Sequence, residues 1–193
     1  MRKDIILAGV GGQGLLALAA VLGEAARSQG LHLKQAEVHG MAQRGGVVQS
    51  HVRLSDDTIH SDLVREGTAN LILSLEPMEA LRYLPFLAPD GMVVANDAPF
   101  INIPDYPNLE GVLSEIRRLR NYRLIDAVAL AKQAGAAQSA NMVMLGAGAP
   151  YLGLAPDVLI GGIRAVFASK SRAVVETNIR GFALGMEASQ AAS

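Results

Sequence analysis

Ile5, Ile6, Leu7 and Ala8 run into Gly9, Val10, Gly11, Gly12, Gln13 and Gly14, after which Leu15, Leu16 and Leu18 begin a helical apolar spacing. A short continuous apolar run, a glycine turn and a helix read as a buried parallel strand feeding a helix through a tight loop. The first N–H groups of such a helix have no partner within it and coincide with the positive end of its dipole, so the loop suits an anion such as a phosphate. Gly9, Gly11 and Gly14 fit the GxGxxG spacing of dinucleotide-binding folds, with Gly12 as an extra glycine. A strand-to-helix turn that holds no ligand has the same spacing, and both readings stand. Glu37, 23 positions beyond Gly14, lies where a nicotinamide-binding fold puts the acid that takes the ribose hydroxyls.

A second loop follows Glu37: Val38, His39, Gly40, Met41, Ala42, Gln43, Arg44, Gly45 and Gly46. It lacks apolar periodicity and reads as a shaped surface loop. Arg44 beside Gly45 and Gly46 puts a guanidinium fork next to open backbone, a combination suited to phosphate or carboxylate; an ion pair at a hairpin entry is the alternative. Gln13 and Gln43 can hydrogen-bond a ligand in the same cleft or brace their own loops. Two groups are weak candidates for acid–base chemistry. His39 titrates in the useful range, and Glu76 stands at the carboxyl end of an apolar strand, where open α/β sheets place ligands. Glu76 is equally suited to a helix N-terminus. His32, His39, His51 and His60 form no HExxH or comparable spacing, so no metal site is expected.

The elements that must carry these residues alternate between strand and helix. A first crossover helix keeps its apolar face from Leu15 to about Ser28, with Gly30 as its stop. Strands are expected at Leu31 to Val38, Val47 to Leu54, Ala69 to Leu75, Met92 to Ala95 and Tyr122 to Ile125. His60 to Gly67 is a polar connection or short helix. Pro77 opens a helix whose apolar face is Met78, Leu81, Leu84 and Phe86, and Pro89, Asp90 and Gly91 make a turn. The proline-punctuated stretch from Ala98 to Asn108 is a loop or edge extension, a candidate flap. Further helices are expected at Val112 to Leu119, Asp126 to Ala134, Asn141 to Leu152, Pro156 to Phe167 and Val174 to Ser189. Arg117, Arg118 and Arg120 complement the end of the first of these or form a basic docking patch. The alanine- and glycine-rich stretch from Ala134 to Gly153 is either a core helix or a partner interface. The fold class is therefore α/β: a single Rossmann-like domain with a mostly parallel sheet, helices on both faces, and an order altered by the strand after the second loop.

Composition bounds the function. The chain has 193 residues, half of them hydrophobic, enough for one well-buried core. A net charge of −1 and 4% aromatic residues offer neither a basic field nor stacking platforms for nucleic acid. With no cysteine, the chain has no thiolate for an iron–sulfur cluster, a zinc site or a nucleophile. Neither a signal-peptide core nor an uncharged stretch of membrane-spanning length is present in the sequence, which points to the cytoplasm.

The pairing of GVGGQG with EVHGMAQRGG resembles the gamma-type subunits of 2-oxoacid:ferredoxin oxidoreductases. Leu75 to Arg82 looks like the EPxEALR helix start of that family, and Asn141 to Ala147 like its NMVMLGA stretch. These four landmarks occur in the family's order, and the HGMAQRGG form of the second loop is most like the indolepyruvate branch and its small, or beta, subunit. The resemblance implies that residues 1–193 form one gamma-type catalytic domain. It implies a subunit of a complex that decarboxylates an aryl 2-oxoacid oxidatively, passes electrons to ferredoxin and delivers the acyl group to coenzyme A. It places thiamine diphosphate and the iron–sulfur clusters on a large partner subunit, with neither bound by this chain alone and no activity expected from it in isolation. Gly9, Gly11, Gly12, Gln13, Gly14, Gln43, Arg44, Gly45 and Gly46 are the residues that would seat coenzyme A. Two other readings stand beside it: an independent nicotinamide-binding oxidoreductase or sensor using Gly9, Gly11, Gly14 and Glu37, and an assembly subunit whose glycine loop is empty. Under any of the three, the isolated chain is open to forming a homodimer.

Overall fold

The computed structural model describes residues 1–39, 46–101 and 105–191; the side chain of His39 and all of Gln43, Arg44 and Gly45 lie outside the described residues. Six strands form one sheet: β1 (Arg2–Val10), β2 (His32–His39), β3 (Val47–Ser55), β4 (Ala69–Ser74), β5 (Leu87–Asn96) and β6 (Tyr122–Ile125). Their spatial order is β2-β3-β1-β4-β5-β6. Strands β1, β4, β5 and β6 pair in parallel, whereas β3 runs antiparallel to both β1 and β2. The strand after the second loop is thus wedged between the first two, the altered order that the sequence suggested.

β1 is buried from Asp4 to Val10 because both faces of the sheet are covered. Ile5 and Leu7 point into a large core with helices α1 (Leu15–Ser28), α4 (Ala127–Ala134), α5 (Ala140–Leu152), α6 (Pro156–Val166) and α7 (Arg172–Ala191). Ile6 and Ala8 point into a smaller one with α2 (Pro77–Arg82) and α3 (Leu109–Arg117). The period-2 geometry of a strand turns a continuous apolar run into two half-cores, each fully buried large side chain contributing roughly 1.5–3 kcal/mol. At the amino end of the sheet, the Asp4 carboxylate meets Arg53 Nε at 2.7 Å, and Arg53 Nη1 donates to the carbonyls of Ser61 and Leu63, fastening the connection that follows β3.

Local signals explain most boundaries. Asp126 caps α4 by accepting the Ala129 N–H at 2.8 Å, and Gly135 ends it at φ 105°. Two expectations are corrected. Pro89, Asp90 and Gly91 do not separate two elements; they lie inside β5, where Ala69 pairs with Leu87 but Leu71 already pairs with Met92, so the turn-forming residues bow out of the ladder. The helix opened by Pro77 stops at Arg82 and Leu84–Phe86 forms a separate 3-10 turn; Pro77, Glu79 and Ala80 are its buried positions, while Leu81, Leu84 and Phe86 of the expected face pack half-buried against the smaller core. Of the two readings of His60 to Gly67, the connection is the one observed. No helix among the described residues is long and apolar enough to cross a membrane.

Of the two readings of the Ala134 to Gly153 stretch, the structure supports the core. α5 is buried from Asn141 to Ala149, between the sheet on one side and α7 on the other. The two helices touch backbone to backbone: a Cβ on Gly185 would stand 1.8 Å from the Val143 carbonyl oxygen, and one on Gly146 would stand 1.9 Å from that of Phe182. Gly185→Ala is therefore expected to destabilise the chain by about 1–3 kcal/mol through overpacking. Gly161→Ala, in α6 with open space around it, is expected to stabilise by roughly 0.5–1 kcal/mol through helix propensity. Urea midpoints of the two variants check this, and equal shifts of one sign would contradict the close contact.

Candidate functional site

The glycine loop leaves β1 at its carboxyl end. Gly12 and Gly14 have φ of 101° and 86°, and Gly14 occupies the N-cap of α1 in the left-handed region, which a Cβ would strain. Gln13 closes the loop on itself: its Oε1 accepts the Val10 N–H at 2.7 Å and its Nε2 donates to the Leu75 carbonyl at 3.0 Å. Of the two roles open to this amide, bracing the loop is the one observed. Gly9 is small for the same reason, since a Cβ there would lie 2.7 Å from Gln13 Oε1. The Gly11 N–H donates to the Gly46 carbonyl at 2.8 Å, so it is not available to an anion. The N–H groups of Gly12 and Gly14 have no partner among the described residues, and those of Leu15 and Leu16 in the first helical turn are likewise open.

The four sequence landmarks meet here. Leu75, at the end of β4 and just before Glu76, donates its N–H to the Ala8 carbonyl and accepts from Gln13. Gly46 holds Gly11 from the second loop. Asn141, first residue of the NMVMLGA stretch, donates from Nδ2 to the Gly14 carbonyl at 3.3 Å while its Oδ1 accepts the Met142 N–H. A hollow of about 300 Å³ opens beside the loop, lined by Gly11, Gly12, Leu15, Leu16, Glu37 and Val48 among others. Glu37 shares it with the glycines, as the nicotinamide reading requires.

Glu76 is buried, 1% exposed, and both carboxylate oxygens are engaged. Oε2 accepts the Glu79 N–H at 2.9 Å as the N-cap of α2, and Oε1 accepts a short hydrogen bond from the Tyr106 hydroxyl. The helix-terminus role of Glu76 is thus present, joined by a partner from the proline-punctuated segment. Burial, then the Glu76 carboxylate, raises the Tyr106 pKa above its ordinary range. Burial also raises the Glu79 carboxyl, against the opposing pull of Arg82 at 2.9 Å. Asp97, past the end of β5, is raised by burial and by Asp126. His51 lies away from the loop, its Nδ1 accepting the Val64 N–H and its ring edge-on to Phe86 at 5.2 Å, and burial lowers its pKa. Among the described residues no three His, Asp or Glu side chains are grouped so as to hold a metal ion.

Two residues gain importance that spacing alone did not assign. Asn96, at the end of β5, donates to the carbonyls of Leu75 and Ala98 and accepts the Ala127 N–H at 3.1 Å. An asparagine closing an apolar strand was its only visible signal. Tyr106 sits in a stretch without periodicity and had none.

A family model described as pyruvate ferredoxin/flavodoxin oxidoreductase matches residues 4–188. Indolepyruvate oxidoreductase subunit IorB from Methanothermobacter thermautotrophicus is 35% identical over 197 residues, covering 97% of this chain and 98% of that one. Among solved structures, the gamma subunit of the keto/oxoacid ferredoxin oxidoreductase from Geobacter sulfurreducens is 25% identical with a TM-score of 0.69, over 100% of this chain and 98% of that one. The 2-oxoglutarate:ferredoxin oxidoreductase from Magnetococcus marinus, solved with 2-oxoglutarate, coenzyme A and succinyl-CoA bound, shares the fold with a TM-score of 0.78 at 20% identity. The whole of this chain corresponds to only 32% of that longer one. With a family model spanning almost its full length and a full-length relative above the identity at which kinship is secure, the chain belongs to the pyruvate ferredoxin/flavodoxin oxidoreductase family.

Proposed function

We propose that this chain is the small subunit of an indolepyruvate-type 2-oxoacid:ferredoxin oxidoreductase, its 193 residues forming one gamma-type domain that works in the cytoplasm. In the overall reaction the bond between the carboxylate and the oxo carbon breaks, CO2 leaves, the acyl group joins the sulfur of coenzyme A, a proton is released and two electrons pass to ferredoxin. The chain supplies none of the redox groups. Without cysteine it has no thiolate ligands for an iron–sulfur cluster, and the resemblance to the family implies a large partner subunit that carries the clusters and thiamine diphosphate. When bound there, thiamine diphosphate supplies the carbanion chemistry of the decarboxylation.

What remains for this chain is to seat coenzyme A. The observation that carries this reading is the convergence of the four landmarks on a loop whose Gly12 and Gly14 N–H groups are open. Open donors at the first turn of a 14-residue helix favour a phosphate, and Gln13, Gly9, Gly11 and Gly46 act as their frame. Arg44 and Gln43, next to the frame in sequence, are assigned to the same phosphate. His39 and Glu76 take no acid–base role in this reading.

Two outcomes are expected. The purified complex of this chain with its large partner reduces a ferredoxin substitute in a manner dependent on both indolepyruvate and coenzyme A, faster than with pyruvate or 2-oxoglutarate; absence of the coenzyme A requirement would sink the proposal. In that complex Arg44→Ala raises the KM for coenzyme A by roughly ten- to a hundredfold, the loss of one charge-assisted contact of about 1.5–3 kcal/mol, with the KM for the oxoacid and the yield of complex unchanged. An unaltered coenzyme A KM would remove Arg44 from the site. The nicotinamide reading retains one favourable observation, Glu37 beside the loop. It requires NAD to bind the isolated chain and Glu37→Ala to weaken that binding.

A further inference from the structure

At the other end of the sheet from the glycine loop, where β1 and β4 begin, lies a hollow of about 710 Å³. Its lining among the described residues includes three guanidinium groups, of Arg2, Arg53 and Arg65, against one carboxylate, of Asp4. The whole chain has a net charge of −1, so this excess of positive charge is local. The Asp4 carboxylate is fully engaged. Its Oδ1 accepts from Arg53 Nε at 2.7 Å, and its Oδ2 accepts from Arg53 Nη2 at 3.3 Å and from Arg2 Nη2 at 3.2 Å. Arg53 is 9% exposed and gives its remaining nitrogen to the carbonyls of Ser61 and Leu63. The neighbouring acids are occupied elsewhere, Asp56 with the N-terminal amine and Asp62 with Lys34 at 3.0 Å. Glu66, beside Arg65 in sequence, is exposed and outside the lining.

Two donors remain. Arg65 makes no ion pair or side-chain hydrogen bond among the described residues. Asn70 accepts the Asp4 N–H on Oδ1 at 2.9 Å, which fixes the amide with Nδ2 as its unspent end. The connection that carries Arg65 has no regular secondary structure, yet it is held on both sides of that residue. The Val64 N–H donates to His51 Nδ1 at 3.1 Å, and the Arg65 carbonyl accepts from the Thr68 hydroxyl at 2.7 Å and the Thr68 N–H at 3.2 Å.

Like charges gathered around a single carboxylate repel one another, and an anion placed among them relieves that repulsion. The unspent donors come from different elements: Arg2 from β1, Asn70 from β4 and Arg65 from the connection. A carboxylate offers two oxygens in one plane and a single charge. A phosphomonoester offers three oxygens in a tetrahedral array and about two charges, and so satisfies forks that arrive from separate directions. The volume of the hollow is that of a small-molecule site, with room for an organic body beyond the phosphate. We propose that this hollow binds a small phosphomonoester through Arg2, Arg65 and Asn70 Nδ2, above the Asp4–Arg53 pair. The site is distinct from the glycine loop and does not rest on the reading of that loop.

The full-length chain, labelled with nitrogen-15, is titrated with phenyl phosphate and followed by the shifts of its backbone amides, at about pH 8 where the probe carries about two charges. Saturable shifts are expected at Arg65, Thr68 and Asn70. Arg65→Gln is expected to weaken that binding about tenfold, the loss of one charge-assisted contact. Arg118→Gln, which removes an equal charge from an arginine paired with Glu115, is expected to leave it unchanged. Amide spectra that match outside the hollow establish that each variant is folded. Shifts confined to Gly12 to Leu16 would put the phosphate at the glycine loop alone, overturning this proposal and sparing the reading of that loop. Shifts at Arg65 to Asn70 with none at the loop uphold the proposal and count against the loop. Equal affinity in Arg65→Gln, equal weakening in Arg118→Gln, or tighter binding of succinate or of a glutamate-rich peptide overturns it.

Discussion

The carbonyl of Leu75 stands where β4 leaves the sheet, in a setting 3% exposed to water, and two side chains converge on it. Gln13 reaches it from the loop after β1 at 3.0 Å and Asn96 from the end of β5 at 3.3 Å. An acceptor in that position must be satisfied within the protein. By satisfying it with two amides, the fold ties the ends of three adjacent parallel strands together. The second atom of each amide extends the arrangement: Gln13 Oε1 fixes the turn at Val10, and Asn96 Oδ1 fixes the first N–H of α4. The open donors of Gly12 and Gly14 owe their direction to this frame. They are left over because the N–H groups of Gly11 and Gln13 are taken by the carbonyls of Gly46 and Val10.

That frame rests on a helical layer with little freedom. α5 is apolar around its whole circumference, which is the pattern of a helix enclosed on every side and not of one with a wet face. Its glycine contact with α7 sets the distance between the two helices at backbone separation. Asn141 projects from the first turn of this enclosed helix, so its hold on Gly14 is positioned by the core.

Much of this was legible in the residues. The strand, turn and helix around Gly9 to Gly14 follow from an apolar run, glycines and a 3.6 period, and Glu76 followed by Pro77 announces a helix start whose cap the structure contains. The position of β3 between β1 and β2 was visible only as a disturbance, because pairing partners depend on contacts distant in sequence. Pro89 to Gly91 have correct turn chemistry, but the strand absorbs them as an irregularity where Ala69 holds Leu87. Glu79 could not be read as buried, since its pairing with Arg82 one helical turn away looks the same on an exposed face. The Tyr106 bond to Glu76 spans 30 residues with no periodic signal. The open state of the Gly12 N–H group follows from what Gln13 and Gly46 occupy, which no spacing encodes.

The antiparallel insertion of β3 also orders the route by which the chain is assembled. β2 and β3 are neighbours in sequence and form a hairpin whose closure costs little entropy. β1, which ends in the glycine loop, has no such local neighbour. It must find residues 47–55 on one side and 71–74 on the other, both across long stretches of chain. The strand bearing the loop is therefore locked from both flanks only when the hairpin and β4 have arrived, so completion of the loop coincides with completion of the fold. A partly folded chain lacks the frame around Leu75 altogether, so the arrangement that leaves the Gly12 and Gly14 donors open exists only once these strands have met.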